Sequence, residues 1–181
     1  MSYPKKDEDV LGLFFNEPTK HWHFKGIVKE AGISEQRANF WLKHLIEEGI
    51  INRIKREGEM PYYIANYDNP AYKNSKKLFA LNKMKETGLL DRLSSLDKAK
   101  AVVLFGSFAR SDWNTESDVD IFVLGDPGEL RFGTIWEGRE LEVHTCETKE
   151  EIKAIRSGLM NNVVKGYFIK GNVHDLVEVS I

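Results

Sequence analysis

The sequence predicts an α+β protein, on three observations. Through the first third, apolar residues recur at helical spacing and then alternate with polar ones, so short helices lead into a hairpin. Further on, AVVLF (101–105) and DVDIFVL (118–124) are apolar runs of strand length bounded by Gly and polar turn residues. Between and after them lie short segments of helical character, so the second half mixes strands and helices.

Taken in order, Asp7 to Phe15 reads as a short amphipathic helix, and His21 to Phe24 as a brief strand or the lead into the next helix. Lys25 to Ala31 is helical and stopped by Gly32. Ser34, followed by Glu35-Gln36-Arg37, is a cap signal for a longer helix that runs to Glu48 and stops at Gly49. In it Ala38, Trp41, Leu42, Leu45 and Ile46 fall at i, i+3, i+4, i+7 and i+8, a single core-facing stripe. IINRIKREGEMPYYIA then alternates about a turn at Arg56-Glu57-Gly58-Glu59. The polar, proline-containing stretch NYDNPAYKNSKK reads as a boundary, and Leu78 to Leu96 as one or two helices interrupted at Gly88.

Helix, glycine turn, helix and hairpin resemble a winged helix-turn-helix over about the first third of the chain. That resemblance implies DNA contact. Opposite the core stripe lie Gln36 and Lys43, with Phe40 and His44, flanked by Arg37 and Asn39; these are residue types that reach base edges and phosphates. Arg53, Lys55 and Arg56 would put positive charge on the wing. Glu47, Glu48, Glu57 and Glu59 leave this region near neutrality and favour the plainer reading of a solvated face with a dimer contact. His21, His23 and His44 lack a second ligand type at metal spacing, so they read as surface or packing residues.

Composition sets few further limits. The formal charge of −2 requires any nucleic-acid surface to be a local patch. A single cysteine, Cys146, excludes an internal disulfide framework. No run has the length of a signal-peptide core or a membrane span, so the expectation is a soluble, cytoplasmic protein with no membrane partner.

The chemistry concentrates in GSFARSDWNTESDVDIFVL, residues 106–124. AVVLF is a strand covered on both faces, Gly106 allows a sharp turn and close approach to a ligand, and Ser107 opens the short helix SFARS with its hydroxyl and free N–H groups toward an anion. Asp118 and Asp120 then alternate onto one face of the following strand, roughly 7 Å apart at the usual rise per residue. Paired carboxylates beside a phosphate-ready turn describe a divalent-metal and triphosphate site. A calcium loop counted from Asp112 fails where Ser117 replaces glycine and Val123 replaces glutamate. An aspartyl-phosphate phosphatase would carry its acids after the apolar strand, not before it. Lysine pairing at a strand edge would leave Gly106-Ser107 unexplained.

Gly106-Ser107, Ala109-Arg110 and Ser117-Asp118-Val119-Asp120 resemble the signature GSxAR…SDxD of the minimal nucleotidyltransferases of the DNA polymerase beta superfamily, over roughly residues 95–181. The chain departs from it at Ser111, where a glycine is common. The resemblance implies an α/β domain with a small mixed sheet and a nucleoside monophosphate passed from an NTP, ATP by expectation, to a hydroxyl. It implies Mg2+ or Mn2+ on Asp118 and Asp120, and the nucleotide on Gly106, Ser107, Arg110 and Ser117. A third carboxylate belongs on a neighbouring strand. In Arg139-Glu-Leu-Glu-Val-His-Thr145 the residues Glu140, Glu142 and His144 share a face; Glu142, between apolar neighbours, fits best, with Glu140 the fallback and His144 read as a packing residue. Thr148 through Asn162 reads as a helix, and GYFIKG as a closing strand.

The expected organisation is a winged helix over 1–68, linker helices over 69–96 and the transferase domain over 97–181. A second reading makes the chain a DNA-binding transcriptional regulator whose transferase-like domain senses nucleotide or binds a helical partner protein. A homodimer is compatible with both.

Overall fold

A computed structural model describes residues 5–128, 130 and 138–177. The chain divides into two compact units, Met1–Phe79 with Trp113–Thr115, and Ala80–Asp112 with Glu116–Ile181.

In the first unit α1 (Lys5–Asn16), α2 (Phe24–Ala31) and α3 (Glu35–Glu47) precede a hairpin of β1 (Ile51–Ile54) and β2 (Tyr62–Ala65). Gly32 ends α2 in the left-handed conformation, φ 61°, and the Ser34 hydroxyl caps α3 by accepting from the Arg37 N–H at 3.3 Å. Val10, Leu11, Phe14, Phe15, Ile27, Ala38, Leu42 and Leu45 are buried together. The stripe on α3 is narrower than its spacing suggests: Ala38, Leu42 and Leu45 are buried, Trp41 is only half-buried, and Ile46 is 37 % exposed. Those two flank the buried line at i, i+4 and i+7, so a single packed face leaves them at its margins. Both readings of His21–Phe24 hold in part. Trp22 forms an antiparallel bridge with Tyr63 at 2.9 and 2.8 Å, and His23 stands at the cap of α2. The hairpin pairs Ile51 with Ala65 and Ile54 with Tyr62, and its turn closes from Glu59 N–H to Arg56 C=O.

The boundary expected over NYDNPAYKNSKK is mostly helix. α4 runs Pro70–Glu86, with the Asn69 side chain accepting from the Ala71 N–H at 2.9 Å. Asn-Pro here is a cap followed by proline at the first helical position, where the missing N–H costs nothing. Lys76, 1 % exposed, donates to the carbonyls of Phe15 (2.7 Å) and Trp113 and to the Tyr72 hydroxyl. The Trp113 ring lies beneath the same ammonium at 4.4 Å and packs against Phe15 and Phe79. Thr115 is held by its N–H and its hydroxyl, both on the Asn16 carbonyl.

The second unit is built on a mixed sheet in the order β5-β4-β3-β6. β3 (Ala99–Leu104) pairs antiparallel with β4 (Val119–Gly125) and with β6 (Tyr167–Lys170), and β4 pairs parallel with β5 (Leu141–Cys146). β3 and β4 are central and almost wholly buried, as their apolar runs require. α5 (Leu89–Ser94) precedes β3, and α6 (Gly106–Arg110) joins β3 to β4. The single helix expected over Thr148–Asn162 is two, α7 (Lys149–Ala154) and α8 (Ser157–Val163), because Ile155 is extended (ψ 142°). α9 (Val173–Leu176) follows β6. Ala101, Val103, Phe105, Phe122, Leu124, Cys146, Ile152, Val163 and Leu176 form one core. Both site strands start later than their sequences suggest, leaving Asp118 just before β4 and Glu140 just before β5. Among the described residues no helix is long and apolar enough to cross a membrane.

Candidate active site

The turn after β3 carries the tightest geometric constraint. Gly106 has φ 67°, and a Cβ there would run into the Asp120 carboxylate. One residue earlier, the Phe105 N–H donates to the Asp120 carbonyl at 3.0 Å. Glycine is therefore required twice, for the left-handed backbone and for the close approach of the aspartate. α6 ends at Ser111, which is buried and has φ 64°. This is the position where the resembled signature commonly has glycine, and the backbone angle supplies the reason: a residue with a Cβ is strained there.

The acids meet through sheet register. The parallel pairing sets Asp120 beside Glu142, and alternation brings His144 to the same face of β5. The ligand-type atoms of Asp120, Glu142 and His144 all lie within 4.8 Å of one another. His144 Nε2 is 3.2 Å from Glu142 Oε1, and its ring meets Phe105 edge-on at 5.4 Å. Burial, and then the negative charge of Glu142, push the Asp120 carboxyl above the usual carboxylate range; Asp118 adds to this, while His144 and Arg110 oppose it.

Asp118 is exposed and outside this close group, although its charge reaches Asp120. Asp118 stands one residue before β4, and the acid beside Asp120 in the close group is Glu142, its neighbour across the sheet. Glu140 does not join the group; its backbone carbonyl accepts from the Val119 N–H at 3.0 Å and its side chain is exposed. Reading His144 as a packing residue is incomplete, since the ring packs on Phe105 yet aims a nitrogen at Glu142. Alternation with Glu142 was the available signal.

Arg110, expected at the phosphates, pairs with Asp112 at 2.8 Å while its charge still acts on Asp120. Ser107 and Ser117 are half-buried. The Ser117 carbonyl accepts from Arg139 Nη1 at 3.0 Å, and the Arg139 guanidinium lies 5.5 Å from the Phe108 ring centre. Arg139, 3 % exposed, thus ties the segment entering β4 to the one entering β5. Sequence reasoning passed over it, because a charge at a strand entry ordinarily signals solvent.

Of the residues expected at nucleic acid, Gln36, Asn39 and Lys43 are exposed on α3, and Arg37 is half-buried. Arg53, Lys55 and Arg56 are exposed on the hairpin. Acids accompany this face, with Lys43 3.9 Å from Glu47 and His44 3.2 Å from Glu48. Phe40, in its midst, is 65 % exposed.

Residues 87–170, just under half of the 181, match the family model for a nucleotidyltransferase domain. A Methanocaldococcus jannaschii protein provisionally named a protein adenylyltransferase is 52% identical to this chain over 29 residues. That segment is 16% of this chain and 29% of the archaeal protein's length. No solved structure matched. Both matches support a nucleotidyltransferase reading, and the stretch that resembles such a domain, residues 87–170, contains Gly106, Asp120, Glu142 and His144.

Proposed function

We propose that the protein transfers a nucleoside monophosphate, AMP by preference, from an NTP to a hydroxyl acceptor, and that its first unit is a winged helix-turn-helix contacting DNA. The observation that carries the transfer reading is the group around Asp120: two carboxylates and an imidazole beside a glycine turn pressed against the aspartate. Such a donor set fits a divalent cation, and the carboxyl raised on Asp120 by burial and by Glu142 marks charge that a cation would relieve. Asp118, Asp120 and Glu142 would hold Mg2+ or Mn2+. Bound there, the cation would neutralise charge on the α-phosphate and on the departing pyrophosphate.

The chain's own residues do the rest. Gly106 and Ser107 present N–H groups and a hydroxyl to the triphosphate, and Arg110 adds positive charge. Ser117, held through its carbonyl by Arg139, sets the approach of Asp118 to the nucleotide. The acceptor oxygen forms a bond to the α-phosphorus as the bond to pyrophosphate breaks. Glu142 either completes the cation site or takes the acceptor's proton. The archaeal relative's name points to a protein hydroxyl as acceptor.

Incubation with α-labelled ATP and Mg2+ or Mn2+, followed by mass spectrometry of adenylated species from a lysate, tests the proposal. Glu142→Gln is expected to lower transfer by about 10²–10⁴ while leaving ATP bound, and Glu140→Gln to do far less. Nucleotide binding without pyrophosphate release would instead favour the regulator reading, which the exposed place of Asp118 outside the close group supports.

A further inference from the structure

Mg2+ demands near-octahedral oxygen coordination and retains water in place of weaker protein donors. An imidazole nitrogen is a poor exchange for one of those oxygens, whereas the later first-row divalent cations accept nitrogen readily and Mn2+ the least of that series. The acids of this site do not stand alone. His144 meets the Phe105 ring edge-on at 5.4 Å, and its Nε2 lies 3.2 Å from Glu142 Oε1. Two ligands on one cation at bond lengths of about 2.1 Å are about 3.0 Å apart when cis in an octahedron and about 3.4 Å apart in a tetrahedron. The Nε2–Oε1 separation falls between those values; the two groups face each other as an ion pair here, at a spacing that two donors to a single ion could keep.

We propose that His144 is a metal ligand which, with Asp120 and Glu142, makes this centre selective for a first-row transition cation over magnesium. This rests on the reading above that a divalent cation occupies the Asp120–Glu142 site. It goes beyond that reading in naming a nitrogen ligand and the class of ion it selects. Burial favours it too: Asp120 and His144 are both half-buried, so the ion would exchange part of its water for these donors, and donor type then decides affinity.

The test uses metal alone, without nucleotide, on the full chain. Mn2+ affinity is read from the electron paramagnetic resonance signal of the free aquo ion, and Mg2+ affinity by competition. Wild type is expected to bind Mn2+ more tightly than Mg2+, and Co2+, added as a competitor, more tightly than either, with nitrogen modulation in the pulsed spectrum of the bound Mn2+. His144→Leu should abolish the modulation and weaken Mn2+ by about tenfold or more, with Mg2+ little changed. His144→Asp, which returns an oxygen donor, should restore binding without modulation and bring the Mn2+ to Mg2+ ratio toward one; circular dichroism establishes that both variants fold. Bound Mn2+ without nitrogen modulation, unchanged affinity in His144→Leu, or no Mn2+ binding by wild type would each overturn the proposal. The transfer assay separates the two ideas. Efficient AMP transfer with no nitrogen ligand leaves the enzyme reading standing and removes this one, and nitrogen-ligated Mn2+ without transfer does the reverse.

Discussion

Gly106→Ala is the substitution on which the site's geometry makes the sharpest demand. Alanine at φ 67° carries the left-handed penalty of about 1–2 kcal/mol. The three heavy atoms nearest the new Cβ all belong to Asp120, and its own Cβ, at 3.2 Å, is fixed by the strand and cannot rotate away. Its carboxylate can rotate, but an off-rotamer position costs about 0.5–1.5 kcal/mol. A stiffer unfolded chain offsets about 0.4–1 kcal/mol of this. The net loss is about 1–2 kcal/mol, small against the 5–15 kcal/mol of an ordinary domain, so the variant should stay folded. Urea unfolding should show the midpoint falling with an unchanged slope. Because relief displaces the Asp120 carboxylate from its present place in the group with Glu142 and His144, cation affinity should fall at least about tenfold. An unshifted midpoint together with wild-type cation affinity would refute the argument that this turn is pressed against the aspartate.

At the other end of α6, Ser111→Gly should stabilise by about 0.5–1 kcal/mol, since relief of the left-handed strain exceeds the added freedom of the unfolded chain; a thermal melt measures it. The raised carboxyl of Asp120 gives a pH signature in the cation-free protein. Between the ordinary carboxylate range and its raised value, the folded chain keeps a proton that the unfolded chain has lost, so stability falls as pH rises through that window. Asp120→Asn should therefore stabilise the cation-free chain at neutral pH, with the gain vanishing as acid protonates Asp120 in both states; urea titrations at several pH values check the sign. In the first unit, replacing Arg53, Lys55 and Arg56 with Ala should flatten the dependence of log duplex affinity on log salt by about 0.9 for each phosphate no longer neutralised, and an unchanged slope would remove the hairpin from the interface.

The parts of this protein legible in its sequence are those set by local chemistry. AVVLF and DVDIFVL are continuous apolar runs because β3 and β4 are covered on both sides, and Gly106 is forced by its own backbone angle. The choice between Glu142 and Glu140 was not local. Only the register of β4 on β5 decides that Glu142 stands beside Asp120, and register depends on residues far away in the chain. His144 is legible in part: alternation puts it on the face of Glu142, while its place beside Asp120 depends on the pairing of β5 with β4. Asn69-Pro70 is ambiguous in sequence because proline ends helices and also starts them, depending on which side the helix lies; here it opens α4. Arg139 and Lys76 stayed hidden because a buried charge reads from sequence as a solvated one until its carbonyl partners are known.

Trp113–Thr115 lie within residues 106–124, which carry the signature motif, yet belong to the first compact unit. A chain cut near residue 80 would therefore yield two damaged fragments rather than two domains. The first would lack the indole and the carbonyl that receive Lys76, and the second would hold a large aromatic side chain with its native packing partners removed. Dissection by truncation, the usual way to assign separate activities to separate halves, would confuse loss of folding with loss of function. Point substitutions in the intact chain avoid that confusion, and any natural reshuffling of these modules would have had to carry three residues across the junction with them.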